Sequence, residues 1–104
     1  MEARKSEPFY PIHPGEIIKD ELECRGISQR QLAQKIGISY SVFNEILNGK
    51  RPVNSEVAML VEAALDVSAE TLLKMQMRYN LQMTKENPLF ISRLAEIRKV
   101  CAVL

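Results

Sequence analysis

A chain of 104 residues carries one compact domain, with room for an appended tail. It is 46% hydrophobic and 26% charged with a net charge of +1, a globular balance without the strong basic excess of many nucleic-acid binders. No apolar run approaches the ~20 residues that cross a membrane, and the opening MEARKSEPFYPIHPG lacks the apolar stretch of a signal peptide, so a cytoplasmic protein is expected.

Gly and Pro are scarce and stand at boundaries, which predicts an all-α fold. Residues 1–12 hold Pro8 and Pro11 without an apolar period and read as an extended arm. A first helix is predicted from Pro14, with His13 before it and Glu16 in its first turn. Proline at the first helical position costs nothing, because that N–H has no helical partner. Ile17, Ile18 and Leu22 form its apolar stripe, and Gly26 is its C-cap. A second helix starts after Ser28, which forms an S-x-x-Q capping box with Gln31. Leu32, Ala33 and Ile36 share one side, and Gly37 ends it. Ile38 plugs the turn, Ser39 caps a third helix running to about Asn48, and Gly49 stops it. Its apolar positions are Val42, Phe43, Ile46 and Leu47.

Beyond the loop from Lys50 to Asn54, a fourth helix spans about Ser55 to Leu65. Val57, Ala58, Leu60, Val61 and Ala64 recur along it at helical spacing. Ser68 caps a fifth helix carrying Leu72, Leu73, Met75, Met77, Tyr79, Leu81 and Met83. The run Thr84 to Asn87 breaks the pattern, and Asn87-Pro88 opens a sixth helix reaching about Ala102. Phe90, Ile91, Leu94, Ile97 and Cys101 form its stripe, which must be buried against its own domain, a two-fold mate or a protein partner.

The two short helices around Gly37 and Ile38 make a helix-turn-helix. Ala33 is small where the third helix crosses the second, and Gly37 permits the reversal. Ile38, Phe43 and Ile46 clamp the unit into the core, which leaves Ser39, Tyr40, Ser41, Asn44 and Glu45 facing away from it. The second helix of such a unit lies in the DNA major groove with its N-terminal residues on base edges. Asn44 suits adenine bidentately, and Ser39 and Ser41 accept or donate. Tyr40 suits a thymine methyl or a phosphate. Glu45 suits cytosine N4, or repels phosphate and sharpens specificity. Gln29 is placed for a phosphate or a flanking base, and Lys50 and Arg51 for phosphate clamping that weakens with salt. This is also the most basic part of the chain, with Arg30, Lys35, Lys50 and Arg51 against Glu45 alone between residues 28 and 54.

The stretches HPGEIIKDELECRGISQRQLAQKIGIS and NEILNGKRPV, continuing through RYNLQ, resemble the HigA family of antitoxins within the lambda-repressor-like, Xre-type helix-turn-helix group. HPGE together with ILNGKRPV is the more specific part. Ser41 stands where the family often has a proline, and SAETLLKMQMRYNLQ lacks its common aromatic pair. The resemblance implies a dimeric autorepressor on a palindromic operator, with a HigB-type, RelE-like mRNA endonuclease toxin as the sequestered partner. The expected architecture is a five-helix helix-turn-helix domain over 13–83, an arm over 1–12 and a C-terminal helical segment over 84–104. A stand-alone Xre-type repressor without a toxin, and a pure interaction module, are the alternatives.

No nucleophile–base pair or metal cluster is apparent, so no catalysis, cofactor or metal is expected. His13 reads as a capping residue or surface group at the start of the first helix, having no metal-binding companion. Met75, Met77 and Met83 read as core fillers or as an adaptable partner surface. Cys24 and Cys101 fit free thiols, with Cys101 expected as a small buried apolar residue.

Overall fold

Every helix of this protein begins where a side chain takes up backbone N–H groups that have no helical partner. The computed structural model describes residues 11–104, so the proposed arm over residues 1–12 lies outside them except for its last two residues. The elements are α1 (Pro14–Arg25), α2 (Gln29–Ile36), α3 (Tyr40–Leu47), α4 (Ser55–Leu65), α5 (Ala69–Lys85) and α6 (Pro88–Cys101). His13 caps α1, Ser28 caps α2 with both halves of the capping box formed, and Ser39 caps α3. Asn54, Ser68 and Asn87 do the same for α4, α5 and α6. Pro88 takes the first helical position of α6, as Pro14 does in α1.

The core lies where α1 to α4 and the first half of α5 converge. Ile18 and Leu22 from α1 meet Phe43, Ile46 and Leu47 from α3 and Val57, Ala58, Val61 and Leu65 from α4. Leu32, Ala33, Val53 and Leu72 complete the cluster. The predicted partners Ile36, Ile38 and Val42 are half-buried against this cluster. Arg25 ties α1 to α4 by donating from Nη2 to the Leu65 carbonyl at 2.6 Å, which satisfies a carbonyl at the α4 C-terminus.

Several positions read as apolar or buried prove exposed. Leu60 and Ala64 of α4 are exposed, because α4 buries a narrower face than its composition suggests. Met77 and Met83 are 56% and 40% exposed and fill no core gap; Met75 alone is half-buried. The buried position of α5 after Leu72 is Gln76, a polar residue one turn on. Cys101 is exposed, as is Cys24, and α6 has no buried residue at all. A helical period locates an apolar face without saying whether another element covers it.

Candidate nucleic-acid interface

The turn between α2 and α3 is set by its backbone. Gly37 has φ of 78°, in the left-handed region. Its N–H and that of Ile38 both donate to the Ala33 carbonyl, at 2.9 and 3.0 Å. Ser39 then restarts the helix, its Oγ accepting from the Val42 N–H at 3.3 Å. Burial of Phe43, Ile46 and Leu47 fixes the rotation of α3 about its axis. Tyr40 and Ser41 are left exposed, with Asn44 and Glu45 half-buried at the edge.

Asn44 does not stand alone on this face. Its Nδ2 donates to Gln29 Oε1 at 2.9 Å, and its Oδ1 accepts from Asn48 Nδ2 at 3.2 Å. Asn48 Oδ1 in turn accepts from Lys19 Nζ at 2.9 Å. This chain of hydrogen bonds, three amides ending on the Lys19 ammonium of α1, orients the Asn44 carboxamide and couples Gln29 to it. Tyr40 is held as well, since the Arg30 guanidinium lies 4.1 Å from the centre of its ring. Glu45 pairs with Arg51 through Oε1 and Nε, with both side chains about half exposed. Such a solvent-facing pair adds little stability and opens at small cost. Lys50 is exposed and has no acidic partner among the described residues.

All eight residues singled out in the sequence thus lie on the start of α2, on α3 and its cap, or on the exit loop. Gln29 and Asn44 are joined directly, as are Glu45 and Arg51. Sequence reasoning missed Arg30, Lys19 and Asn48. Asn48 was within reach, because it follows Asn44 by one helical turn. Lys19 was not, being 29 residues away along the chain.

Behind this face, the HPGE segment braces the end of α3. His13 is 4% exposed, and its Nδ1 accepts from the Gly15 N–H at 2.9 Å. Its ring meets Tyr79 edge-on, 5.0 Å between centres at 80°. Burial lowers the His13 pKa below its ordinary value, partly offset by a backbone hydrogen bond at Arg51 and by Glu16. Gly15 has no room for a side chain: a Cβ there would stand 2.2 Å from the Ile46 carbonyl oxygen. The start of α1 is therefore pressed onto the backbone of α3, the helix that carries the exposed polar face.

A buried brace, a tight turn and an outward polar helix are the parts of a DNA-reading unit, and residues 18–72 match the helix-turn-helix family. The chain belongs to that helix-turn-helix family. Virulence-associated protein I of Dichelobacter nodosus is 34% identical over 77 residues, covering 73% of this chain and 71% of that protein. A HigA-family addiction module antidote protein from Coxiella burnetii is 32% identical with a TM-score of 0.68, over 80% of this chain and 92% of that one. The Pseudomonas aeruginosa antitoxin HigA, solved with the higBA promoter, is 29% identical with a TM-score of 0.68, over 86% and 92%. These neighbours bear out the resemblance to HigA-type, Xre-type proteins, and the chain is a DNA-binding helix-turn-helix protein. No helix among the described residues is long and apolar enough to cross a membrane.

Proposed function

We propose that this chain is the antitoxin of a type II toxin–antitoxin module, a dimeric repressor of its own promoter that also sequesters a HigB-like, RelE-like mRNA endonuclease. The observation that carries the DNA half is the amide chain that orients Asn44 on the outer face of α3. An oriented carboxamide enters the groove without losing rotamer freedom there, and Asn is suited to adenine N6 and N7. Gln29 either braces it or reaches a flanking base or phosphate. Ser39, Ser41 and Tyr40 present short polar groups and one ring beside it. Lys50 holds phosphate, and Arg51 joins it when its pair with Glu45 opens, which leaves Glu45 for cytosine N4 or for rejection of misplaced phosphate. Two such units ~34 Å apart meet successive major grooves of a palindromic operator. The segment over 84–104 serves assembly outside the DNA face. The antitoxin half draws its support from the HigA-family neighbours.

The test is fluorescence anisotropy on the DNA upstream of the gene, at several salt concentrations. Asn44→Ala should cost ~1–3 kcal/mol of specific binding. Lys50→Ala should weaken binding on all sequences and reduce the salt slope by about 1. Binding that ignores both substitutions overturns the interface. Co-expression with the adjacent small open reading frame tests the second half: a toxic partner that co-purifies supports it. A harmless or unbound neighbour reduces the protein to a stand-alone repressor.

A further inference from the structure

The loop that carries Lys50 and Arg51 is anchored at both ends. Its start is the last turn of α3, where the Gly49 N–H donates to the Ile46 carbonyl at 3.1 Å and the Lys50 N–H to the Glu45 carbonyl at 2.8 Å. Gly49 has φ of 77°, and the chain turns off the helix there. Its end is Val53, whose side chain is buried and whose N–H donates to Gln76 Oε1 at 2.7 Å. Between the two anchors, Lys50, Arg51 and Pro52 are exposed.

His13 lies against the first anchor. A Cβ on Gly49 would stand 3.7 Å from His13 Cγ and 3.8 Å from its Cβ and Cδ2, so the imidazole packs on the backbone of the turn. Its Nδ1 accepts from the Gly15 N–H, which leaves Nε2 to carry the proton of the neutral ring. Burial lowers the His13 pKa, and a backbone hydrogen bond at Arg51 partly offsets this; a carbonyl that accepts from a ring N–H has that sign. The ring also meets Tyr79 of α5 edge-on. Tyr79 and Gln76 are three residues apart and share one face of that helix. One face of α5 thus supports both ends of the loop, Gln76 directly and Tyr79 through His13.

We propose that His13 is a positioning residue for DNA binding, whose ring seats the backbone from Gly49 to Arg51 and so sets where Lys50 and Arg51 meet phosphate. This rests on the reading of those two residues as phosphate clamps. Capping alone does not call for an imidazole, because the other five helices of this chain are capped by Ser or Asn. What the imidazole adds is reach, from the start of α1 to the turn at Gly49. At 4% exposure it is too buried to touch DNA itself and acts through the loop. A loop ordered before binding loses less freedom when its cations engage.

Fluorescence anisotropy of the full chain on the DNA upstream of the gene separates capping from positioning. His13→Asn keeps an oxygen that caps α1 and takes the ring away from Gly49. It should still unfold cooperatively in urea, yet bind at least about threefold more weakly and with a salt slope reduced by about 1. The loss should pass through the loop. In a chain already carrying Lys50→Ala and Arg51→Ala, adding His13→Asn should change neither affinity nor salt slope further. Tyr79→Leu, which removes the support beside the ring and leaves the cap in place, should show the same dependence on the loop. The active fraction is counted by titration against DNA far above the dissociation constant, so that unfolded chain is not read as weak binding. An unchanged affinity in His13→Asn, or a loss of equal size in both backgrounds, overturns the positioning role and leaves the DNA interface standing. A loop variant that binds as tightly as the wild type overturns the clamp assignment and the positioning role with it.

Discussion

At the scale of single residues, the tightest constraint is not on the face that would meet DNA but behind it. Gly15 is glycine because the α3 backbone occupies the place of its side chain, not because its own backbone is unusual. Gly15→Ala should push α1 off α3 and destabilise the fold by ~1–3 kcal/mol, read as a lower urea midpoint at unchanged slope; an unshifted midpoint would mean that the two helices separate freely. His13 adds a pH dependence to the same contact. Its Nδ1 must be unprotonated to accept from Gly15. Its folded pKa is lowered, chiefly by burial, so the unfolded chain binds the proton more readily. The stability it contributes is full above the unfolded value of 6.5 and is lost as pH falls through the lower folded value. Urea midpoints measured from pH 7.5 down to 5 should decline, and His13→Asn, which can still cap, should flatten the decline. An equal slope in the variant would assign it to other groups.

At the scale of the elements, the caps were legible and the exposures were not. Ser28 with Gln31, and Ser39 ahead of Val42, are local codes readable within four residues. The inner face of α5 shows where such reading stops. Leu72 is buried, and Gln76 one turn later is buried too, with Oε1 accepting from the Val53 N–H at 2.7 Å and Nε2 donating to Asn80 Oδ1 at 2.9 Å. A glutamine between methionines signals a solvated position when read alone. In the fold it satisfies a buried donor in the loop between α3 and α4. Gln76→Leu roughly keeps the size of the side chain and orphans that donor, so it should cost ~1–3 kcal/mol in chemical denaturation. A neutral outcome would show that water replaces the amide. The outer face of α5 misleads in the opposite sense, since Leu73, Met77 and Leu81 recur every fourth residue although only Leu73 reaches the core cluster.

At the scale of the whole molecule, the core and the segment proposed for assembly are separable. The core cluster runs from Ile18 to Leu72 and takes nothing from α6. A chain ended before Pro88 should therefore still melt cooperatively, while its operator binding should lose its sensitivity to half-site spacing, measured by anisotropy on operators with shifted halves. Retained spacing sensitivity would place assembly elsewhere. The separation also explains what could be read in advance. Helix starts and stops, the glycine at the turn, the buried side of α3 and the residues facing out from it follow from interactions within a turn or two, and the sequence by itself determined them. The joining of Gln29 to Asn44, of Lys19 to Asn48 and of Gln76 to Val53 spans 15, 29 and 23 residues. Only the tertiary structure decided those, along with the fit of Gly15 on α3 and the exposure of Met77 and α6, because each depends on which distant element comes to rest against the residue and not on the residue's neighbours in the chain.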